Sequence, residues 1–157
     1  MHLICGLPCS GKTTLAKTLE AERRALRLSP DEWIIRFYGP DISGDALNAV
    51  RDPVEAALWD LAARVLELGL DVILEYGFWS RRERDEYRER ARQVGARSML
   101  HFLEVQKEEL LARLAKRNAQ LPAGSFRIDE ARLRSWFEIF EPPREDELRP
   151  REGSNQI

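Results

Sequence analysis

The sequence predicts an α/β fold in which a parallel sheet of four to five strands is covered by helices on both faces. Short apolar runs alternate with segments of helical periodicity, and a glycine-rich loop directly follows the first apolar run. Strands that alternate with helices imply right-handed crossovers and hence a parallel sheet. Ligands of such sheets bind beyond the carboxyl ends of the strands, so we expect the functional residues at one rim.

Four short apolar runs are predicted to form the strands. The third is apolar almost without interruption, which is typical of a strand that is covered on both faces. Neither a repeat nor a Gly/Ser linker divides the 157 residues, so we expect one domain over 1–143 and a polar tail over 144–157. The predicted strands are His2 to Cys5, Ala25 to Leu28, Leu70 to Leu74 and Met99 to Val105.

Six segments have the spacing or the start signals of helices. The longest has Pro53 near its predicted start and Gly69 just past its end, and Ser80 with Glu83 forms a capping box at the start of a highly charged helix. A polar loop over 119–129 precedes the last helix. The predicted helices are Thr13 to Arg24, Asp31 to Tyr38, Asn48 to Leu68, Ser80 to the residue before Gly95, Lys107 to Asn118, and Glu130 to Phe140.

The composition argues against several classes of protein. The 25 Lys and Arg against 27 Asp and Glu leave a net charge of −2, so no overall field favours nucleic acid or an anionic membrane. The start of the chain has no basic signal-like region, and no stretch has the roughly 18 apolar residues of a membrane helix. Cys5 and Cys9 fit neither a zinc site nor a disulfide framework. We therefore expect a cytoplasmic protein.

The loop GLPCSGKTT fits the pattern G-x-x-x-x-G-K-[ST], which is typical of a loop that holds the phosphates of a nucleoside triphosphate. Its glycines let the backbone N–H groups point inward, and the helix that follows adds its positive end. Lys12 is expected to reach the β- and γ-phosphates, and the hydroxyl of Thr13 to bind Mg²⁺. The predicted nucleotide-binding residues are Gly6, Leu7, Pro8, Cys9, Ser10, Gly11, Lys12, Thr13 and Thr14.

Two acidic residues follow the second and third predicted strands. Asp31 is a candidate catalytic base that would orient and deprotonate an acceptor hydroxyl, although Ser29-Pro30-Asp31-Glu32 is also a good helix start and Asp31 would suit an N-cap. Glu75 is a candidate for holding Mg²⁺, directly or through water, or for binding substrate; a structural role is the alternative. Both acids are expected at the same rim as the loop.

Aromatic residues cluster near these acids. Trp33 and Phe78 are candidate substrate-binding residues, because exposed rings at a rim can form a wall for an organic acceptor, while core packing is the alternative for each ring. Tyr38, Tyr76 and Trp79 belong to the same group. The arginines of SRRERDEYRERAR are interleaved with acids, so a solvated helix face is predicted for them.

Arg113 and Arg117 lie four residues apart on one face of a predicted helix that leads into the polar loop. From there they can close on a bound triphosphate, with Arg127 as a third cation. Arg117 is therefore a candidate catalytic residue, together with Lys12 and Asp31. A closing loop also excludes water, which favours transfer over hydrolysis. Surface salt bridges are the alternative for all three arginines.

Several segments together resemble a known group. The stretches GLPCSGKTTLAK, LSPDEW, VILEYGFWSRRER, LLARLAKRNAQLPAGSFRID and FEPP are similar to the AAA-type predicted-kinase group of phosphate-loop ATPases, over residues 1 to about 143. This group is related to chloramphenicol phosphotransferase, zeta toxin and the gluconate and adenylate kinases. The resemblance implies the P-loop NTPase fold, a short lid over about 113–129, and Asp31 as the base.

The same resemblance implies that Arg113 lies near an adenine ring and Arg117 on the phosphates. It also implies that the turn Phe140-Glu141-Pro142-Pro143 lies against the adenine ring. The sequence departs from the group at two places. Position 75 is Glu where the relatives commonly have Asp, and the tail lacks the apolar fifth strand of the adenylate-kinase pattern. The sheet is therefore expected to have four strands or to borrow an edge.

The predicted activity is that of an ATP- and Mg²⁺-dependent kinase for a hydroxyl of a small molecule such as a sugar, nucleoside or antibiotic. Two alternatives stay open: a nucleotide-dependent switch or binding ATPase, and a 5′-hydroxyl polynucleotide kinase, which the near-neutral composition disfavours. The N/T-K-x-D motif that reads guanine is absent from the sequence, so adenine is favoured. The acceptor and the oligomeric state stay undetermined at this level.

Overall fold

The structure is a computed structural model that describes residues 1–153. A four-stranded parallel sheet in the order β2-β3-β1-β4 is flanked by helices, so the predicted α/β fold is confirmed, with four strands in the described range. The elements in chain order are β1 (His2–Cys5), α1 (Lys12–Arg23), β2 (Leu26–Leu28), α2 (Pro30–Tyr38), α3 (Gly44–Glu67), β3 (Val72–Gly77), α4 (Arg81–Gln93), β4 (Met99–Phe102), α5 (Lys107–Ala119) and α6 (Glu130–Ile139).

The strand β1 lies inside the sheet and is buried on both faces. Its residues alternate between the two layers of core, as the two-residue period of a strand requires. Leu3 and Cys5 pack with Leu58 and Ala62 of α3, whereas Ile4 packs on the other face with helix α1. The three β1 residues are fully buried. The apolar run at the start of the chain is therefore the centre of the fold.

Three element boundaries differ from the predictions by three residues or more, and one of them is the end of β4, which lies at Phe102 and not at Val105. Helix α3 begins at Gly44, so Pro53 lies inside the helix and not near its start. Leu47 is buried and extends the apolar face of the helix by more than a turn. Strand β3 runs from Val72 to Gly77 and so contains Glu75. The strand starts later than predicted because the turn that closes α3 includes Leu70, whose N–H donates to the Val65 carbonyl.

The prediction of a solvated face for the arginines of α4 is wrong for Arg84 and Arg88, which are both buried. The guanidinium of Arg84 forms two hydrogen bonds with Glu147, at 2.7 and 3.1 Å, and Arg88 donates to the main-chain carbonyls of Glu147 and Arg149. Burial raises the pKa of Glu147, but hydrogen bonds from Arg84 and the Arg144 N–H outweigh it and lower the pKa below its usual value. The α4 arginines thus fix the chain that follows α6.

The segment after α6 returns to the edge of the sheet. Glu145–Glu147 forms a short 3₁₀ turn, and the backbones of Ser98 and Arg151 form an antiparallel bridge with N···O distances of 2.8 and 2.9 Å. Ser98 directly precedes β4, so the bridge adds a single backbone pairing at this edge of the sheet. The prediction was that the sheet has four strands or borrows an edge. Residues 154–157 of the predicted tail lie outside the described residues. Across 1–153, no helix is both long and apolar enough to span a membrane.

We expect Glu147→Gln to lower the free energy of unfolding by about 3 kcal/mol, because it leaves the buried Arg84 guanidinium without its counter-charge. Urea unfolding followed by tryptophan fluorescence measures this loss. The neighbouring Asp146 pairs with Arg81 at the surface, with 56% of its side chain exposed. Asp146→Asn is the matched control and should leave the unfolding midpoint unchanged. Equal effects of the two substitutions would contradict the analysis.

Candidate functional site

The glycine loop leaves the carboxyl end of β1 and leads into α1. Gly6 and Gly11 have φ values of 150° and 100°, and Cys9 also has a positive φ of 67°. A Cβ on Gly6 would lie 2.7 Å from the Ser10 hydroxyl oxygen, so this position has no room for a side chain. Gly11 stands at the N-cap of α1, where no capping side chain competes with an anion for the first N–H groups of the helix.

Lys12 lies at the first turn of α1 and folds back onto the loop. Its Nζ donates a hydrogen bond of 2.9 Å to the Leu7 carbonyl. Burial lowers the pKa of Lys12, while the negative charges of Glu75 and Asp31 act in the opposite direction. The structure therefore brings the loop lysine and the two predicted acids into one electrostatic neighbourhood.

Thr13 and Glu75 are in direct contact. The Thr13 hydroxyl donates a hydrogen bond to Oε1 of Glu75, which joins the start of α1 to the middle of β3. The other carboxylate oxygen of Glu75 accepts a hydrogen bond of 2.8 Å from Arg27 on β2. Sequence reasoning missed Arg27, because an arginine in a three-residue strand carries no local signal of a partner 48 residues away.

The chemistry of these groups suits Mg²⁺. A hydroxyl and a carboxylate supply oxygen ligands, which Mg²⁺ prefers, and the phosphates of a nucleotide in the loop would supply others. Thr13 and Glu75 are adjacent and stand at the end of the loop where those phosphates would lie. Residues 1–153 contain no group of three or more His, Cys, Asp or Glu side chains that could hold a metal ion.

Asp31 lies in the first turn of α2, two residues after the N-cap position, which Ser29 occupies. The alternative role of Asp31 as the N-cap is therefore wrong, and its carboxylate is used elsewhere. It accepts a hydrogen bond of 3.0 Å from Arg51 on α3. Arg51 also lies 3.7 Å from a carboxylate oxygen of Glu55. Arg51 was missed by the sequence analysis, because its partner Asp31 lies on another helix.

Glu55 is a largely buried carboxyl group, with 19% of its side chain exposed, and it lies within the electrostatic influence of Asp31. Burial raises its pKa to about 7, the charges of Glu83, Asp52 and Asp31 add to this effect, and Arg51 opposes it. The hydroxyl of Tyr76 donates to the main-chain carbonyl of Glu55, which fixes this part of α3 against β3. A carboxyl group that ionises near neutral pH therefore stands beside the candidate base.

The aromatic predictions have two outcomes. Phe78 is fully buried and stacks on Tyr76 with ring centroids 5.6 Å apart, so it offers no surface to an acceptor and the prediction for it is corrected to core packing. Trp33 is 37% exposed and packs against Phe37. Its position two residues after Asp31 places it on the other side of α2, so the structure does not bring these two residues together.

The two predicted arginines of α5 have different surroundings. Arg113 is exposed and forms a 2.7 Å ion pair with Glu109 on its own helix. Arg117 donates to the Phe126 carbonyl at 3.1 Å, and its Nη1 is buried without a hydrogen-bond partner in the described range. An orphan buried donor on a cation is a group that an anionic ligand can satisfy. Arg127 is exposed.

The loop between α5 and α6 reaches the acidic side of the rim. Phe126 is buried in a cluster with Ile34 of α2 and Leu47 of α3. Gly124 lies against Glu32, since a Cβ on this glycine would come within 3.1 Å of the Glu32 Cγ. The predicted lid thus bridges α5 and the two helices that carry Asp31 and Arg51.

A cavity of about 190 Å³ lies beside the glycine loop, between the loop and the residues that follow β4, and so on the side away from Glu75 and Asp31. Ser10 lines this cavity, and its hydroxyl is buried without a hydrogen-bond partner among residues 1–153. Most of the wall is apolar or aromatic, which suits a flat ring. Phe140 and Pro142 of the turn that is predicted to lie against the adenine ring belong to this wall. The lining residues are Leu7, Ser10, Phe102, Leu103, Val105, Leu110, Phe137, Phe140 and Pro142, with Glu104, Gln106 and Lys107 at the polar end.

The parallel sheet and the loop that follows its inner strand β1 define a P-loop NTPase fold. The chain belongs to the family AAA_33, described as an AAA domain, whose model matches residues 1–143. The resemblance to the P-loop kinase group is therefore confirmed. No curated protein matches the sequence.

Three solved structures show the same fold. A candidate kinase from Chloroflexus aurantiacus is 21% identical over 91% of this chain and 80% of its own, with a TM-score of 0.73. Kti12 from Chaetomium thermophilum, solved with ADP-AlF3, is 22% identical over 91% and 81%, with a TM-score of 0.70. A gluconokinase from Sinorhizobium meliloti is 21% identical over 94% and 78%, with a TM-score of 0.60. These TM-scores show a shared fold, and at sequence identities of 21–22% the similarity extends to the fold alone.

Glu55 should make stability depend on pH. Its folded pKa of about 7 lies above the usual 4.5, so the folded protein keeps the proton longer than the unfolded chain. Stability is therefore full below pH 4.5 and falls as the pH rises through 7. We expect Glu55→Gln to exceed the wild type in unfolding free energy by about 2–3 kcal/mol at pH 8, with no gain below pH 4.5.

Denaturant unfolding at several pH values measures the difference between Glu55→Gln and the wild type. The matched control is Glu67→Gln, which changes an exposed glutamate on the same helix and should give no pH-dependent difference. A difference between Glu55→Gln and the wild type that stays constant from pH 4 to pH 8 would refute this reading of Glu55.

Proposed function

We propose that the protein is an ATP- and Mg²⁺-dependent phosphotransferase that moves the γ-phosphate of ATP to a hydroxyl of a small molecule, such as a sugar, nucleoside or antibiotic. The observation that carries this proposal is the hydrogen bond between Glu75 and Thr13, the neighbour of Lys12 at the end of the glycine loop, with Asp31 in the helix that follows the adjacent strand β2. A phosphate-binding cation, a candidate base and a candidate metal-side acid at one rim are the parts that phosphoryl transfer needs.

On the donor side, the N–H groups of the loop and the positive end of α1 bind the phosphates. Lys12 exchanges its hydrogen bond with the Leu7 carbonyl for the β- and γ-phosphate oxygens. Arg117 supplies a further cation through its Nη1, which is buried without a hydrogen-bond partner among residues 1–153. Arg113 turns from Glu109 toward the nucleotide when the lid over 113–129 closes.

On the acceptor side, Asp31 accepts the proton of the attacking hydroxyl. A bond forms between the acceptor oxygen and the γ-phosphorus, the bond from that phosphorus to the bridging oxygen breaks, and ADP leaves with the bridging electrons. The hydrogen bond from Arg51 orients the Asp31 carboxylate while its second oxygen faces the acceptor. Arg51 thereby has the role of a positioning residue.

Mg²⁺ would be held by Thr13 and, directly or through water, by Glu75. When bound, it neutralises charge that develops on the phosphate oxygens. The side chains of Thr13 and Glu75 already form a hydrogen-bonded pair, so this end of the loop is preorganised before nucleotide enters.

The cavity beside Leu7 is the proposed site of the adenine ring. Its aromatic wall of Phe137 and Phe140 suits stacking, and the orphan Ser10 hydroxyl can donate to the nucleotide. This placement puts the adenine ring and the acceptor on opposite sides of the glycine loop, so that the two ligands of the transfer do not compete for the same space. The division into a kinase domain over 1–143 and a tail over 144–157 belongs to the same proposal.

The charge of the acceptor side favours a small neutral or cationic acceptor over a polynucleotide. Asp31 and Glu55 lie close together there, and the net charge of the chain is −2. A polynucleotide kinase needs a basic groove that follows the strand, and phosphates would meet these carboxylates instead. Trp33 keeps its proposed role at the acceptor only if the acceptor extends round α2.

The proposal predicts acceptor-stimulated release of ADP from ATP and Mg²⁺ in a panel of hydroxyl compounds. We expect Asp31→Asn to lower the stimulated rate by at least about 100-fold, because the neutral amide cannot take up the proton, while ATP affinity stays within about twofold. A coupled assay for ADP and calorimetric titration of ATP measure the two quantities.

Two further variants make this test specific. Lys12→Ala should abolish nucleotide binding, whereas Asp41→Asn changes an exposed carboxylate of the loop after α2 and should leave both quantities unchanged. ADP release that no acceptor stimulates, and that Asp31→Asn does not slow, would favour a nucleotide-dependent switch. The absence of ATP binding to the wild type would refute the proposed function altogether.

A further inference from the structure

Arg27 of β2 contacts three carboxylates that belong to three different elements. Its Nη1 lies 2.8 Å from Glu75 of β3, its Nη2 lies 2.8 and 2.9 Å from the two oxygens of Glu32 on α2, and its Nε lies 3.3 Å from Glu20 on α1. A guanidinium is the side chain that can serve three acceptors at once, because its five N–H groups form a fixed planar fork. The arginine therefore connects the elements that surround the end of the glycine loop.

The contact with Glu75 differs from the other two in burial. The side chains of Arg27 and Glu75 are only 10% and 6% exposed, whereas Glu20 and Glu32 are 41% and 37% exposed. Water screens the two outer pairs, so they contribute little by themselves. The inner pair is shielded, and removal of one partner would leave a buried charge without compensation. The geometry of Glu75 thus depends chiefly on Arg27.

Both carboxylate oxygens of Glu75 have partners. Oε2 accepts from Arg27, and Oε1 accepts from the hydroxyl of Thr13. Because the Thr13 hydroxyl uses its proton toward Glu75, its lone pairs face away from that carboxylate and are free for a cation. A Glu75 side chain that rotated out of this position would release the Thr13 hydroxyl proton to compete with a metal.

We propose that Arg27 is a positioning residue of the metal side of the nucleotide site: it holds Glu75 on Thr13 and so sets the affinity of the nucleotide complex for Mg²⁺. The inference rests on the proposed function, because it requires a nucleotide that binds together with Mg²⁺. Arg27 itself touches neither nucleotide nor metal, and it acts through Glu75. Residues that orient metal ligands in this way typically change metal affinity 10- to 100-fold when substituted.

The test uses Arg27→Lys, which keeps the charge but cannot span Glu75 and Glu32 with one point-like ammonium group. Binding of a fluorescent ADP analogue to the full chain is measured as MgCl₂ is added, and again in EDTA. We expect the Mg²⁺ concentration at half-maximal effect to rise about tenfold, while affinity for the analogue in EDTA stays within about twofold of wild type. A merely structural role would weaken binding under both conditions.

Glu20→Gln is the matched control, because it removes an exposed contact of the same arginine and should leave the Mg²⁺ requirement within about twofold of wild type. The second test is a double-mutant cycle. If Arg27 acts through Glu75, then Arg27→Lys should have no further effect on the Mg²⁺ requirement in the Glu75→Gln background. Additive effects would overturn the inference.

Other outcomes also decide between the two proposals. Wild-type binding of the analogue that depends on Mg²⁺, together with an unchanged Mg²⁺ requirement in Arg27→Lys, would refute the role of Arg27 and leave the proposed function intact. A wild-type chain that binds no nucleotide would refute the proposed function itself. Loss of the fold in Arg27→Lys, seen as the loss of a thermal unfolding transition, would assign Arg27 to stability and would also overturn the inference.

Discussion

The position of β1 between β3 and β4 determines where the candidate functional groups lie. A parallel strand with a neighbour on each side must leave the sheet at its carboxyl end, and the glycine loop does so in contact with the end of β3: the Gly6 N–H donates to the Gly77 carbonyl at 3.1 Å. Glu75 of β3 is therefore carried to the start of α1, where Thr13 meets it. The short second strand brings Arg27 to the same point.

The rim is a set of paired charges rather than an open cationic pocket. Glu75 is neutralised by Arg27, and Asp31 by Arg51, while Lys12 makes its hydrogen bond to a carbonyl of the loop. A buried charge without a partner is costly, so the pairing with Arg27 allows the buried Glu75 carboxylate to lie next to the glycine loop. Lys12 donates to a carbonyl and not to a carboxylate, so a phosphate group can take over this contact without breaking an ion pair. The arrangement thus separates groups that organise the rim from groups that would bind phosphate.

The sequence predicted the parts of this structure that depend on local pattern, and it missed those that depend on distant partners. The alternation of apolar runs and helical segments, and the eight-residue loop motif, are visible over short windows and indicated the fold and the rim. Arg84 lies in a run of mixed charge that is typical of a solvated face, and only Glu147, 63 residues away, explains its burial. Arg27 and Arg51 have partners on other elements in the same way. Phe78 was misplaced because a ring at a strand end suits both a pocket wall and a core.

Phe126 of the proposed lid segment contacts both sides of the rim. The carbonyl of Phe126 accepts a hydrogen bond from Arg117 of α5, whereas its ring packs on Ile34 and Leu47 of the acceptor-side helices. Burial of a ring of this size contributes roughly 1.5–3 kcal/mol, so opening must either withdraw the ring or break its link to Arg117. A displacement of α2, which carries Asp31, would therefore move Phe126 and alter its hydrogen bond with Arg117. The same residue therefore connects Arg117 of α5 with the helix that carries the candidate base.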